Sequence, residues 1–234
     1  VYEYDVMGNR VAETSAAGGV TRYTYDGEGR LVSAGSTTFG YDRAGNLVTR
    51  NEGGRRTTTY TYDAENRLVE VHTPDVKVRH VYDATGNRIR REVNGKPTQY
   101  VVDTLMPVPQ VVAEQDASGT SQYLVGASRL AKRLPSGRAV FFLEDRLGST
   151  RCVVDDQGRL LTRYGYTAFG SPRVVEGTPQ TDFLFAGEQW EADTGLIYLR
   201  NRFYDPVLGR FLSVDPVRGS PWEPASFNQY VYAN

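Results

Sequence analysis

Along most of the chain, apolar and polar residues alternate with a period of two. In Thr57-Thr58-Thr59-Tyr60-Thr61-Tyr62 the pattern puts Thr58, Tyr60 and Tyr62 on one face. In Leu68-Val69-Glu70-Val71 it sets Leu68 and Glu70 against Val69 and Val71. Side chains of a pleated backbone point alternately to opposite faces, so this period, carried by β-branched and aromatic residues, predicts strands. The one stretch that hints at helix is Met106 to Gln115. Pro107 and Pro109 weaken that hint and suggest an edge or a crossing segment there.

The strand-like stretches are broken at regular intervals by one motif. Tyr4-Asp5-x-x-Gly8 is followed by Tyr25-Asp26-x-x-Gly29, Tyr41-Asp42-x-x-Gly45, Tyr62-Asp63-x-x-Asn66 and Tyr82-Asp83-x-x-Gly86. Each interval has room for two strands and two turns. Aspartate at the first turn position accepts a hydrogen bond from the amide two residues on. Glycine three residues later supplies the left-handed conformation that closes the turn with a bulge. Asn66 in the glycine position fits this reading, since asparagine tolerates positive φ. Asn94-Gly95 signals a two-residue hairpin, and Asp116 to Gly119 and Asp155 to Gly158 repeat the Asp-x-x-Gly spacing. One hairpin cannot bury its own apolar face, but stacked hairpins can. The prediction is an all-β fold of stacked hairpins in a curled sheet. The tyrosine before each aspartate is expected to fall at one depth and form an aromatic ladder. The alternative is a row of exposed rings that stack on glycans.

Composition narrows the function. The 27 basic and 28 acidic residues leave a net charge of -1, with no bulk attraction to nucleic acid or anionic membrane. Scattered arginines such as Arg88, Arg90 and Arg91 beside Glu92 are read as solvated or cross-strand paired. The one cysteine, Cys152, excludes an internal disulfide and is read as a buried thiol. No run is long enough to span a membrane as a helix, and VYEYDVMGNR has neither the basic start nor the apolar core of a signal peptide. The opening lies in mid-pattern without an initiator Met, which suggests a piece of a longer polypeptide.

Candidate chemistry is sparse. His72 and His80 are read as surface or turn histidines, the aspartates best placed by pattern are used in turns, and Asp145 with Ser149 is read as a turn with interior polar contacts. No phosphate-binding glycine loop appears. No catalytic, metal or cofactor site is expected.

The last third departs from the simple repeat. It contains Asp145-Arg146-Leu147-Gly148-Ser149, Thr194-Gly195-Leu196, Arg202-Phe203-Tyr204-Asp205-Pro206 and Gly209-Arg210-Phe211-Leu212-Ser213-Val214-Asp215-Pro216, then the run from Asn228 to Asn234. In this order the motifs resemble the RHS/YD-repeat family, in particular the RHS repeat-associated core domain of polymorphic toxins. That family includes the C component of insecticidal toxin complexes and wall-associated contact-inhibition proteins. The resemblance divides the chain into YD-repeat hairpins over 1–100 and an RHS core region over 101–234. It implies a segment of a hollow β-shell that encapsulates a carboxy-terminal toxin and helps deliver it in competition between bacteria. The implied partners are the remainder of the shell, the toxin cargo and a secretion spike or delivery component, in a secreted or cell-surface protein. It places the family's self-cleaving aspartates beyond Asn234, since Asp205-Pro206 and Asp215-Pro216 lack the glycine of that motif. A surface adhesion or glycan-binding module and an effector enzyme are the alternatives. The enzyme reading requires a deep pocket holding His72 or His80 beside carboxylates.

Overall fold

The computed structural model describes residues 1–217, 219 and 224–232; Ala233 and Asn234 of the terminal run lie outside the described residues. Twenty-two strands and two 3-10 turns make up the regular structure among them. The chain divides into two compact units. The first holds residues 1–77, 202–205 and 209–234, the second 78–201 and 206–208.

In the first unit, eight strands follow one another as antiparallel hairpins: β1 (Tyr2–Tyr4), β2 (Arg10–Thr14), β3 (Val20–Tyr25), β4 (Leu31–Ala34), β5 (Thr37–Tyr41), β6 (Leu47–Glu52), β7 (Arg56–Tyr62) and β8 (Leu68–His72). The second unit continues the pattern with β9 (Lys77–Tyr82), β10 (Arg88–Val93), β11 (Lys96–Asp103), β12 (Gln110–Asp116), β13 (Gly119–Val125), β14 (Arg129–Arg133), β15 (Ala139–Glu144), β16 (Thr150–Asp155), β17 (Leu160–Tyr166) and β18 (Pro172–Gly177). Four short strands follow. In the second unit β19 (Gln189–Glu191) pairs with β20 (Leu196–Leu199), and in the first β21 (Arg202–Asp205) pairs with β22 (Arg210–Phe211).

The turn that generates these hairpins is specified by its aspartate. Asp26 Oδ1 accepts from the amides of Glu28 and Arg30, both at 3.0 Å, and Oδ2 accepts from Arg30 Nε at 2.7 Å. Asp5 does the same with Met7 and Asn9, and Asp83 with Thr85 and Asn87. Asp42, Asp63 and Asp155 hold the fourth residue on through both its amide and its side chain. The bond to the amide four residues on adds to the expected bond two residues on. Asp116 is different. It pairs directly across from Gly119 in a two-residue hairpin.

After each such turn the register slips by one residue. Tyr62 faces Leu68, but Thr61 faces Glu70, so Val69 is the extra residue of a β-bulge. Leu68 and Val71 are therefore both buried, which corrects the strict alternation expected for Leu68 to Val71. The same slip follows Arg10, Leu31, Leu47, Arg88, Arg129 and Thr150.

The core lies two residues further from each turn than the tyrosines preceding the aspartates, on the same face of the strand. Tyr4 is exposed, and Tyr25, Tyr41, Tyr62 and Tyr82 are half-buried. The buried ring belongs to the residue two positions earlier, Tyr23, Phe39 and Tyr60 in the first unit, and further buried rings of the second unit are Tyr100 and Tyr164. Three more corrections follow. Gln110 to Gln115 is strand, with Pro107 and Pro109 in the preceding loop, because the prolines and the β-branched residues after them favour extended backbone. Cys152 is half-buried, since its strand partner Leu143 is itself exposed. His72 is exposed, but His80 is buried inside β9.

Candidate functional site

The residues singled out in the last third gather where carboxy-terminal segments seat on the hairpins of their own unit. In the second unit, Leu147, Gly148 and Ser149 form the turn between β15 and β16. Asp145 Oδ1 accepts from the amides of Leu147 and Ser149, both at 3.0 Å, and Gly148 has a φ of 84°. Leu147 remains exposed, while the buried Ser149 Oγ accepts from the Ala186 amide at 2.9 Å. Thr150 continues the seam, its amide and hydroxyl donating to the Leu184 and Phe183 carbonyls. Gly195 turns the β19–β20 hairpin with a φ of 72°, and Leu196 behind it is buried.

The centre of that hairpin is polar. Glu191 is fully buried and accepts a hydrogen bond from Arg88, which also donates to Gln189 Oε1 at 2.6 Å. Arg91 Nε lies 3.4 Å from Glu191, and His80 Nε2 lies 3.7 Å from it. The Arg88 guanidinium stacks 3.9 Å from the Tyr198 ring centroid, and Gln189 Nε2 donates to Tyr100 Oη at 3.1 Å. Burial depresses the His80 pKa to about 3, so the ring is neutral. Burial opposes the charge on Glu191 as well. The Arg88 and Arg91 guanidiniums, joined by the His80 ring once acid charges it, outweigh it and hold the carboxyl at about 2.

This cluster corrects two expectations. Arg88 is neither solvated nor paired across its strand, and His80 is not on the surface. Both stand where other hairpins of the chain carry apolar residues. Arg88 occupies the position after the turn held by Leu31, Leu47 and Leu68, and His80 the position held by Tyr23, Phe39 and Tyr60. The repeat alignment contained that signal: polar residues in both slots of one hairpin, where the hairpins of Leu31, Leu47 and Leu68 carry apolar ones.

In the first unit the seat is built mostly from backbone. The Leu47 amide donates to the Leu212 carbonyl at 2.8 Å, and the Leu212 amide to the Phe203 carbonyl at 3.0 Å. Tyr230 Oη donates to the Gly45 carbonyl at 2.8 Å. Gly45 has a φ of 82°, and a Cβ there would lie 2.7 Å from Val214 Cγ1, so only glycine fits. Arg210 is buried, donates to the Gly29 carbonyl at 2.7 Å and lies over the Tyr25 and Tyr230 rings. Gly209, with a φ of 71°, leads into it. Arg202 donates to Asp215 at 2.6 Å and stacks 3.7 Å from the Phe211 centroid. Tyr204 packs against Phe211, and the buried Asp205 accepts from Arg50 at 3.2 Å. Pro216 is exposed; Pro206, which belongs to the second unit, is buried.

No chemistry-bearing triad emerges from these contacts. Among the described residues no group of three His, Cys, Asp or Glu is placed to hold a metal ion. No helix among them is long and apolar enough to cross a membrane. The cavity bordered by Arg88 and Gln189 measures only about 40 Å³.

Serial hairpins with an Asp-anchored turn and a folded-back carboxy-terminal segment are matched, over residues 1–234, by the family described as Teneurin YD-shell. The chain belongs to the teneurin YD-shell family. Among relatives of this YD-shell chain, a tRNA3(Ser)-specific nuclease WapA of Bacillus spizizenii is 35% identical over 159 residues, covering 65% of this chain and 7% of that protein. A double-stranded DNA deaminase toxin A of Burkholderia cenocepacia is 28% identical over 255 residues, covering 92% of this chain and 15% of that protein. The chain therefore spans a small part of the relatives it matches. The fold of the YD-shell chain also superposes on solved structures. The TcdB2-TccC3-TEV crystal structure matches 98% of this chain and 16% of that chain with a TM-score of 0.54 at 17% identity. The Photorhabdus luminescens Tc holotoxin pore gives a TM-score of 0.55 at 16% identity, again over 98% of this chain and 16% of that chain.

Proposed function

We propose that this chain is a non-catalytic wall segment of a shell that encloses a carboxy-terminal toxin or effector polypeptide and helps deliver it. The observation that carries the reading is the match of the whole chain to a YD-shell family. The physical logic is that strands wrapped into a wall cover the unpaired edges that an open hairpin stack presents, and keep enclosed cargo from its surroundings. The turn aspartates support a structural role, because their oxygens are committed to backbone amides. On this reading residues 1–100 are wall hairpins, and residues 101–234 are a core region that folds back and closes the wall. The nuclease and deaminase activities named for the relatives belong to the remaining length of those proteins. The parent is a secreted or surface-exposed bacterial protein used against competing cells. Its partners are the rest of the wall, the enclosed toxin and a delivery component.

The test is made on the parent reading frame, extended in both directions and purified intact. Comparison of its mass under native and denaturing conditions is expected to show a smaller fragment or tail held within the large piece and released or protease-accessible only on denaturation. A tail that is digested as fast in the native protein as in urea sinks the encapsulation reading.

A further inference from the structure

Three hairpins carry arginine in the slot after the turn, where Leu31, Leu47 and Leu68 stand in others: Arg10, Arg88 and Arg129. All three are buried. A buried guanidinium needs a counter-charge and acceptors for its N–H groups. Arg10 lies 3.5 Å from Glu13, and Arg88 is bonded to Glu191. Arg129 has no such partner. It is 6% exposed, yet among the described residues no carboxylate forms an ion pair with it. Nη1 donates to the Val111 carbonyl at 2.8 Å, Nη2 reaches Gln110 Oε1 only at 3.4 Å, and Nε–H has no acceptor. Its faces are covered by aromatic rings, with the guanidinium carbon 3.6 Å from the Phe183 centroid and 4.5 Å from that of Tyr123. The rings favour a cation but cannot accept its in-plane hydrogen bonds. Burial pushes the Arg129 pKa down to about 10. Three acids act in its field without pairing with it: Glu114 is held by Lys132 at 2.6 Å, Glu188 by Arg200 at 2.5 Å, and Glu144 forms no ion pair with it.

There is space at this arginine. Arg129, Gln110 and Glu188 line a cavity of about 40 Å³. The same three line an open cleft of about 530 Å³ whose rim carries Met106, Val108 and Leu147. Val108 and Leu147 are 47% and 59% exposed, which leaves apolar surface on the rim.

We propose that Arg129 is the receptor for a carboxylate carried by a polypeptide segment lying in this cleft, an aspartate or glutamate side chain that supplies the missing counter-charge. A planar carboxylate matches the Nη1–Nη2 edge of the guanidinium, where each nitrogen makes one bond and keeps a second N–H, while Nε–H is buried. A phosphate dianion does not suit walls that also carry Glu144 and Glu188. The apolar rim favours an acid attached to a chain, because the flanking side chains have surface to cover. This assignment stands whether or not the wall encloses a toxin.

The test uses the full chain and two blocked tripeptides, with glutamate or glutamine between leucines, and acetate as the free acid. The wild type is expected to bind the glutamate peptide at least ~10-fold more tightly than the glutamine peptide, the scale of one charge-assisted pair. Arg129→Leu, which installs the residue of three equivalent slots, is expected to abolish that preference and raise Tm by ~2–4 °C, as removal of an unmatched buried cation should. Acetate that binds more weakly than the glutamate peptide assigns the site to a polypeptide; equal affinity overturns that source in favour of a small free acid. Equal binding of the two peptides, or a fall in Tm for both Arg129→Leu and Arg129→Gln, overturns the site itself.

Discussion

The hairpin β7–β8 and the hairpin β9–β10 share one turn and differ in what they bury behind it. Each is closed by an aspartate that bonds the amides two and four residues on, and each has a one-residue bulge at the same place. Behind the first turn stand Tyr60 and Leu68; behind the second stand His80 and Arg88. The turn therefore fixes the hairpin, while the interior slot is free to change. An apolar slot is complete with any apolar neighbour. A polar slot demands one particular partner, here Glu191, brought to Arg88 by a strand 103 residues further along the chain.

Removal of that partner should have the largest effect. Glu191→Ala leaves Arg88 and Arg91 without their buried counter-charge and is expected to cost ~3–5 kcal/mol, measured as the shift of the urea unfolding midpoint. No comparable loss is expected for an acid on the exposed turn beside it, Asp193→Ala, which should stay within ~1 kcal/mol.

Acid should separate the two kinds of slot next. The folded pKa of His80 is depressed to about 3 by burial, so the unfolded state binds the extra proton as pH falls. Stability from this group is complete above pH ~6.5 and is lost toward pH 3, with a limiting slope of ~1.4 kcal/mol per pH unit. The depressed Glu191 carboxyl acts in the same direction at lower pH. His80→Tyr, the residue of the matching slot in β7, should flatten the profile between pH 6 and 4. An unchanged slope would place the titrating group elsewhere.

Smaller effects probe the shared turn and the backbone seat. Gly45→Ala forces a side chain into positive φ and against Val214, with an expected loss of ~1–3 kcal/mol in thermal unfolding. Asp63→Ala removes acceptors for the Glu65 and Arg67 amides and should cost ~1–2 kcal/mol. The exposed His72 replaced by alanine should change stability by less than ~0.5 kcal/mol.

The contrast also explains which features were readable in the sequence. Turn chemistry is local: Asp26, Gly29 and the residue four places on settle one another within a few positions, so the hairpins and their order could be read directly. The bulge moved Val71 inward beside Leu68, because a one-residue slip exchanges faces in the bulged strand; the buried ring, Tyr60, shares its face with Tyr62 and differs only in lying two residues further from the turn. It is a property of the paired strand and leaves no mark in simple alternation. Tertiary pairings were the least readable. Nothing near Arg88 in the chain announces Glu191, and only the comparison of repeat slots marks Arg88, His80 and Arg129 as unusual. The signature residues Gly195, Leu196, Gly209 and Arg210 stood out as a motif, but their roles depend on the hairpins they seat upon.

The most direct measurement is a double-mutant cycle of Arg88→Leu, Glu191→Leu and the pair, followed by urea unfolding. A slot that can be filled in either an apolar or a polar manner predicts that each single variant loses several kcal/mol while the double variant returns to within ~1 kcal/mol of the wild type. Additive losses in the double variant would contradict it, and would mean that Arg88 and Glu191 stabilise the seat through separate contacts.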